Sequence, residues 1–246
     1  MIIFLRMKVA EKIVKKIKRM PEGTTFKYQQ LDITSGEYGA ATKAIERLIG
    51  KGIIKRVTTG VFYKPKQTVF GELLPRETEI IKPYLYEQGN RIAYITGTAL
   101  YNNLGLTTQV PKTIKIASRS KRICINSGNI KAKPIKSYVD VTEDNYYLLE
   151  ILDVLKDFTI IPDMDIEGGI RFLLSKLKEL SEKETNKLIK YALKYPPRVR
   201  GFLGALLNEI SGQENIILKQ SLNPLTIYNF RIDKKQLTTA PNWNIK

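Results

Sequence analysis

The chain has 246 residues, a formal net charge of +17, one cysteine and no histidine. The missing histidine excludes a Ser-His-Asp triad and removes the commonest zinc ligand. The lone Cys124 excludes an internal disulfide and fits a reducing compartment. The strong positive charge favours a polyanionic partner, with nucleic acid ahead of an anionic membrane surface. A generally lysine-rich composition is the simpler explanation of the same charge.

No apolar run reaches the roughly 18 residues that a membrane-spanning helix needs. The apolar segment Ile2–Leu5 is too short for the hydrophobic part of a secretory signal. We therefore expect a cytoplasmic protein with no membrane partner.

The first predicted helix covers Lys8–Met20, where apolar residues recur at helical spacing. Pro21-Glu22-Gly23 ends this helix, and the β-prone segment Thr24–Phe26 follows. The next segment, Lys27–Leu31, is long enough for a short second helix. These elements precede the stretch with the clearest functional pattern, Thr34–Pro65.

A capped helix opens that stretch. Thr34 and Glu37 have the spacing of a capping box, and Gly52 supplies a left-handed stop. One helical stripe is apolar and is expected to face inward: Tyr38, Ala41, Ile45, Leu48 and Ile49. The opposite face carries Gly36, Gly39, Ala40, Lys43 and Arg47. Such small residues suit a plain surface helix poorly, but they let a helix backbone approach a DNA major groove.

A basic hairpin follows the helix. Ile53–Val57 and Val61–Tyr63 are predicted strands, and Gly60 suits the positive φ of their short loop. Helix and hairpin together predict a winged helix-turn-helix, in which helix residues enter the groove and wing residues hold phosphates. The predicted DNA contacts are Tyr38, Thr42, Lys43 and Arg47 on the helix, and Lys55, Arg56, Thr58, Thr59 and Lys64 on the wing.

The composition changes near Gly71, which predicts a DNA-binding domain at 1–70 and a mixed α/β domain at 71–246. Short strands at Thr113–Ala117, Arg122–Ile125 and Ile130–Ile135 predict a small antiparallel sheet. Four helices are then expected, at Asp144–Phe158, Ile166–Leu180, Glu184–Tyr195 and Val199–Ile210. The tail, Asn223–Lys246, is expected to pack back on the domain. The predicted fold class is α+β.

The acidic cluster of Asp163, Asp165 and Glu167 allows two interpretations. Paired carboxylates hold Mg²⁺ in nucleotidyl-transfer enzymes, but an acid before a helix also caps it. The helix-cap interpretation is favoured, because no phosphate-binding glycine-rich loop accompanies the cluster. No catalytic residue, metal site or cofactor is therefore predicted.

A second basic stretch runs from Lys112 to Lys136. It would extend a DNA footprint, face an acidic protein partner, or simply form solvated strand faces. The sequence does not choose among these interpretations.

Three segments carry a family resemblance: AIERLIGKGIIKRVTTGVFYKP, YITGTALYNNLGLTTQVP and GFLGALLNEI. They resemble the AbiEi-type antitoxins of type IV toxin–antitoxin systems, which act in abortive infection. The resemblance implies a repressor that binds inverted repeats in its operator, with oligomerisation on the DNA. It also implies that the C-terminal domain counteracts a nucleotidyltransferase toxin of the AbiEii type, with or without direct contact.

Two other function classes remain open. One is a winged-helix regulator whose C-terminal domain senses a ligand or dimerises, with no toxin. The other is a nucleic-acid enzyme that uses the carboxylates of Asp163 and Asp165.

Overall fold

A computed structural model describes residues 9–69, 71–73, 75, 77–127 and 130–246. The fold is α+β, as predicted, and it divides into two compact units. The first unit is Met1–Arg91 with Ile125–Ile130, and the second is Ile92–Cys124 with Lys131–Lys246. The predicted boundary at residue 70 falls inside the first unit.

The first unit begins with a winged helix. Its elements are α1 (Val9–Arg19), β1 (Thr25–Lys27), 3-10 turns at Tyr28–Leu31 and Ser35–Glu37, α2 (Tyr38–Gly50), β2 (Lys55–Thr58) and β3 (Val61–Tyr63). The strands form an antiparallel sheet in the order β1-β3-β2. The predicted second helix is a single 3-10 turn, because Asp32 adopts a left-handed φ of 53° and ends it.

The core of the winged helix follows the apolar spacing of its sequence. Ile13 and Ile17 of α1 pack with Ala41, Ile45 and Leu48 of α2 in one buried cluster. These three α2 residues confirm most of the predicted stripe. Tyr38 does not belong to the buried stripe, since it is 51% exposed at the start of α2.

The chain beyond β3 completes the first unit. It contains β4 (Lys66–Thr68), β5 (Gly71–Leu73), α3 (Glu77–Ile81), a 3-10 turn at Lys82–Tyr84, β6 (Tyr86–Glu87) and β7 (Asn90–Arg91). The Thr25 hydroxyl donates a hydrogen bond to the carbonyl oxygen of Glu79. The Lys27 ammonium lies 3.2 Å from the centre of the Tyr84 ring. These contacts attach the segment to β1, which explains why the unit extends to Arg91.

The strands of the second unit are β8 (Ala93–Thr96), β9 (Ile114–Ser118) and β11 (Ile130–Lys136). The short helix α4 (Thr98–Asn103) follows β8. The strand β10 (Ile125–Ser127) groups with the first unit. β9 pairs with β8 antiparallel and with β11 parallel. The predicted antiparallel arrangement is therefore wrong for the β9–β11 pair. The period of a strand tells which face is buried, and it carries no information on strand direction.

Helices form the rest of the second unit: α5 (Tyr146–Asp157), α6 (Ile166–Lys178), α7 (Glu182–Ala192), α8 (Pro197–Ser211) and α9 (Ile216–Gln220). The first four confirm the prediction to within a few residues, and Pro197 lies in the first turn of α8 as expected. The tail packs back, with Phe230 and Trp243 buried in the core. The described part of the chain contains no helix long and apolar enough to cross a membrane.

Candidate nucleic-acid interface

The outward face of α2 is polar and open. Its exposed residues include Gly39, Ala40, Lys43, Glu46 and Arg47. Lys43 and Arg47 make no ion pair with any other described residue, so both cations are available to a ligand. A Cβ atom added at Gly39 would meet nothing within 4 Å. The small residue therefore leaves open space beside the N-terminal end of the helix.

A capping box closes the 3-10 turn at Ser35–Glu37, which leads directly into α2. The Glu37 carboxylate accepts hydrogen bonds of 2.9 Å from both the backbone N–H and the hydroxyl of Thr34. The Tyr38 ring lies 5.0 Å from the Tyr28 ring, and the Thr42 hydroxyl donates 3.0 Å to the Tyr38 carbonyl oxygen. These contacts hold Tyr38 at the rim of the exposed face. The hydroxyl of Thr42 is already used within the helix.

The wing carries its predicted turn. Gly60 has a φ of 77°, and Thr59 is exposed beside it. The Arg56 guanidinium lies 5.8 Å from the centre of the Phe62 ring and remains exposed. Arg56 and Thr59 therefore lie on the surface of the hairpin, where phosphate contacts would form.

Lys55 is paired within the protein. Its ammonium lies 2.6 Å from the Glu72 carboxylate, which also accepts a hydrogen bond from the Tyr63 hydroxyl. Hydrogen bonds from Lys55 and then Tyr63 lower the pKa of Glu72. Burial, followed by the hydrogen bond to Glu72, raises the pKa of Tyr63 to about 12. A phosphate would have to compete with Glu72 for Lys55.

Two of the predicted DNA-contact residues make side-chain hydrogen bonds inside the protein. Thr58 is only 5% exposed, and its hydroxyl lies 3.1 Å from the Tyr84 hydroxyl. A register shift between Arg56 and Thr58 turns this side chain inward, because a bulge breaks the alternation of a strand. The Lys64 ammonium donates to the carbonyl oxygens of Lys18, at 3.1 Å, and Met20, at 2.8 Å. It therefore satisfies carbonyl groups at the C-terminal end of α1.

The exposed residues of α2 and the wing form a surface that we call the α2–wing face. It consists of Tyr38, Lys43 and Arg47 on α2 and Arg56 and Thr59 on the wing, with Lys55 in an ion pair beside them. Glu46 shares the exposed side of α2, and the sequence interpretation left it out. Its wheel position next to Lys43, three residues further along the helix, would have revealed it.

The acidic cluster of the second unit is a helix cap. The Asp165 carboxylate accepts a 2.7 Å hydrogen bond from the backbone N–H of Gly168. Arg171 lies 2.5 Å from Glu167 and 3.8 Å from Asp165. Asp163 accepts 3.1 Å from the side-chain amide of Gln109. Within the described ranges, no group of three or more His, Cys, Asp or Glu side chains is placed to hold a metal ion.

A buried polar network in the second unit was not predicted from the sequence. Asp153 of α5 is 2% exposed and accepts hydrogen bonds from Tyr94 at 2.9 Å and Thr96 at 2.6 Å. Lys156 donates to it at 2.8 Å. Burial alone would lower the pKa of Lys156, but the charge and hydrogen bond of Asp153 outweigh it and raise that pKa. The one sequence clue was an acid inside an apolar helical run.

Fold and surface together define a winged-helix protein with an additional α+β unit. A family model described as "Family of unknown function (DUF6088)" matches residues 12–145, which is more than half of the chain, so the chain belongs to this family. The match covers the winged helix and continues into the strands of the second unit.

Comparison with curated proteins finds no match, and comparison with solved structures finds a shared fold. Among solved structures, the chain is similar to the RV2827C protein from Mycobacterium tuberculosis, with a TM-score of 0.53 and 13% identity. The likeness covers 96% of this chain and 90% of that one. At this identity the likeness shows a shared fold alone.

Proposed function

We propose that the chain is a transcriptional repressor that binds double-stranded DNA through α2 and the wing. The observation that carries the proposal is the pair Lys43 and Arg47, exposed and free of ion pairs with other described residues on the outward face of α2. In winged-helix and helix-turn-helix proteins, the corresponding helix lies in the major groove. Arginine and lysine donate to the O6 and N7 atoms of guanine there, which gives sequence specificity.

The wing supports this proposal with contacts of another kind. Arg56 and Thr59 present a guanidinium and a hydroxyl at the hairpin surface, and both groups donate to phosphate oxygens. Such contacts position a protein on DNA without reading its sequence. The net charge of +17 supplies long-range attraction to the same polyanion.

The proposal extends to an antitoxin, and this part rests on the family resemblance of the sequence. In this extended proposal, the second unit counteracts a nucleotidyltransferase toxin while the winged helix represses the operon. Four exposed apolar side chains in 216–227, Ile216, Ile217, Leu225 and Ile227, favour a protein contact on the second unit. That observation equally favours a second candidate, a regulator whose second unit dimerises and has no toxin.

A selection experiment tests the DNA-binding proposal. The full chain is incubated with a pool of random DNA duplexes, and the retained duplexes are sequenced over several rounds. The proposal expects a shared motif, arranged as an inverted repeat, that is protected in a footprint. Retention without any enriched motif would contradict sequence-specific repression.

Co-expression tests the antitoxin part. The chain is produced together with the product of a neighbouring gene that encodes a nucleotidyltransferase, where one is found, and growth is scored with and without the chain. Rescue of growth supports the antitoxin, whereas an enriched operator without rescue supports the plain regulator.

A further inference from the structure

A basic cleft lies at one edge of the sheet in the second unit. Its volume is about 360 Å³, and its charged lining consists of Arg119, Lys121, Arg122 and Lys136. Ser118 and Ser120 add hydroxyl groups. We call it the β9–β11 cleft. None of its described lining residues is acidic.

The parallel pairing of β9 and β11 creates this cleft. Because the strands run in the same direction, their carboxyl ends meet at one edge, and Ser118 is the register partner of Lys136. The chain leaves β9 directly into Arg119–Arg122, so the loop cations lie beside the end of β11. Ligands of parallel sheets commonly bind outside the carboxyl ends of the strands.

One hydrogen bond and one ion pair orient the arginine nearest to the sheet. One terminal nitrogen of Arg119, Nη1, donates 2.6 Å to the carbonyl oxygen of Tyr138, and Nε lies 3.6 Å from the Asp140 carboxylate. Arg122 and Lys136 are exposed and form no ion pair with the rest of the described chain. The cleft therefore contains one arginine held in place by the protein and two cations available to an anion.

We propose that the β9–β11 cleft binds backbone phosphates of duplex DNA. Guanidinium, ammonium and hydroxyl groups are the usual donors to phosphate oxygens. No aromatic side chain lines the described cleft, so it lacks the stacking platform that proteins use to hold single-stranded bases. The inference rests on the proposed DNA-binding function. It adds a contact in the second unit that does not depend on base sequence.

The test uses the full chain and a short random-sequence DNA duplex. The double variant Arg122→Ala/Lys136→Ala removes two cations from the cleft. The control, Lys183→Ala/Lys190→Ala, removes two exposed cations from α7, which also belongs to the second unit. Circular dichroism confirms that both variants are folded. The dissociation constant is measured over a series of salt concentrations for each.

The cleft variant is expected to bind more weakly at low salt, with a log–log salt slope shallower by about 0.9 for each phosphate that is no longer neutralised. The control slope is expected to stay at the wild-type value. Equal slopes for the cleft variant and wild type would overturn the proposal. An equal fall in the cleft variant and the control would also overturn it, since the effect would then be one of net charge.

A third variant, Lys43→Ala/Arg47→Ala, separates this inference from the proposed function when all variants are also measured on an operator duplex from the selection experiment. If sequence discrimination is abolished in that variant and the cleft variant behaves as wild type, the winged helix binds DNA and the cleft does not. If only the cleft variant loses affinity for the operator duplex, the cleft inference stands and the α2 assignment fails. A wild-type chain that retains no duplex would overturn both.

Discussion

Lys64 and Met20 are joined by a 2.8 Å hydrogen bond from the side-chain ammonium of Lys64 to the Met20 carbonyl oxygen. Because the same ammonium also bonds the Lys18 carbonyl, it ties the end of β3 to the last turn of α1. We predict that Lys64→Ala lowers the free energy of unfolding by about 1 kcal/mol. Urea denaturation followed by circular dichroism measures the change.

The control for this variant is Lys66→Ala, which removes an exposed cation two residues further on. It should leave the stability within about 0.5 kcal/mol of wild type. A Lys64→Ala protein with unchanged stability but a shallower salt slope in DNA binding would return Lys64 to the set of phosphate contacts.

A second prediction concerns the extent of the first unit. A fragment ending at Arg91 should unfold at a higher temperature than one ending at Gly71. The shorter fragment lacks Tyr84, which contacts Thr58 and Lys27, and it also lacks Glu72, which pairs with Lys55. Thermal melts of the two fragments provide the comparison. Equal melting temperatures would mean that the segment after residue 71 contributes nothing to the winged helix.

Local sequence patterns predicted those parts of the winged helix that depend on neighbouring residues. The inward stripe of α2 and the positive φ of Gly60 follow from helical spacing and turn chemistry. The φ is confirmed, and so is the stripe except for Tyr38. The internal contacts of Thr58 and Lys64 were not predicted, because a bulge and a distant helix end decide where they point. Neither feature has a signature within a few residues of sequence. The exposed positions on α2 could be predicted from the sequence, whereas the side-chain positions on the wing depend on contacts with distant residues.

The third prediction tests the α2–wing face. Removing the cations with Lys43→Ala/Arg47→Ala should weaken binding to the selected operator by about 1–3 kcal/mol for each base that the variant no longer contacts. Binding to an unrelated duplex should change less, because phosphate contacts from Arg56 and Thr59 remain. A gel shift with both duplexes gives the ratio. Wild-type affinity for the operator would remove this pair from the interface.

The fourth prediction is a pH dependence at the start of α7. The Glu184 carboxylate accepts hydrogen bonds from the Ser181 hydroxyl at 2.5 Å, the Tyr147 hydroxyl at 2.6 Å and the Ser181 backbone N–H at 2.9 Å. These bonds, the Ser181 hydroxyl first, lower the pKa of Glu184 from 4.5 to about 2. A lowered pKa in the folded state means that the carboxylate stabilises the fold at neutral pH.

That contribution is complete above the unfolded pKa of 4.5 and disappears as the pH falls through about 2. Glu184→Gln should therefore be less stable than wild type at pH 6, and the difference should shrink below pH 4.5. Denaturation of both proteins across this range measures it, and NMR titration of Glu184 gives the midpoint directly. A constant difference at every pH would mean that the carboxylate charge has no part in the cap.

The last prediction concerns the contact between α8 and the C-terminal tail. A Cβ atom added at Gly204 would lie 2.2 Å from Cζ3 of Trp243, which is far inside van der Waals contact. Gly204→Ala should therefore lower the stability of the chain by roughly 1–3 kcal/mol, although alanine is the better helix former. The control Gly39→Ala, where the new Cβ meets nothing within 4 Å, should be neutral or stabilising.

A double-mutant cycle assigns the cost to this contact. Trp243→Leu alone should destabilise the chain because it leaves a cavity in the core. In the Trp243→Leu background the Gly204→Ala change should cost less, with a coupling of about 1 kcal/mol, since the indole ring that it strikes is gone. Additive effects would show that the cost of Gly204→Ala does not come from contact with the indole ring. The close packing of Trp243 on α8 would then be no constraint on that position.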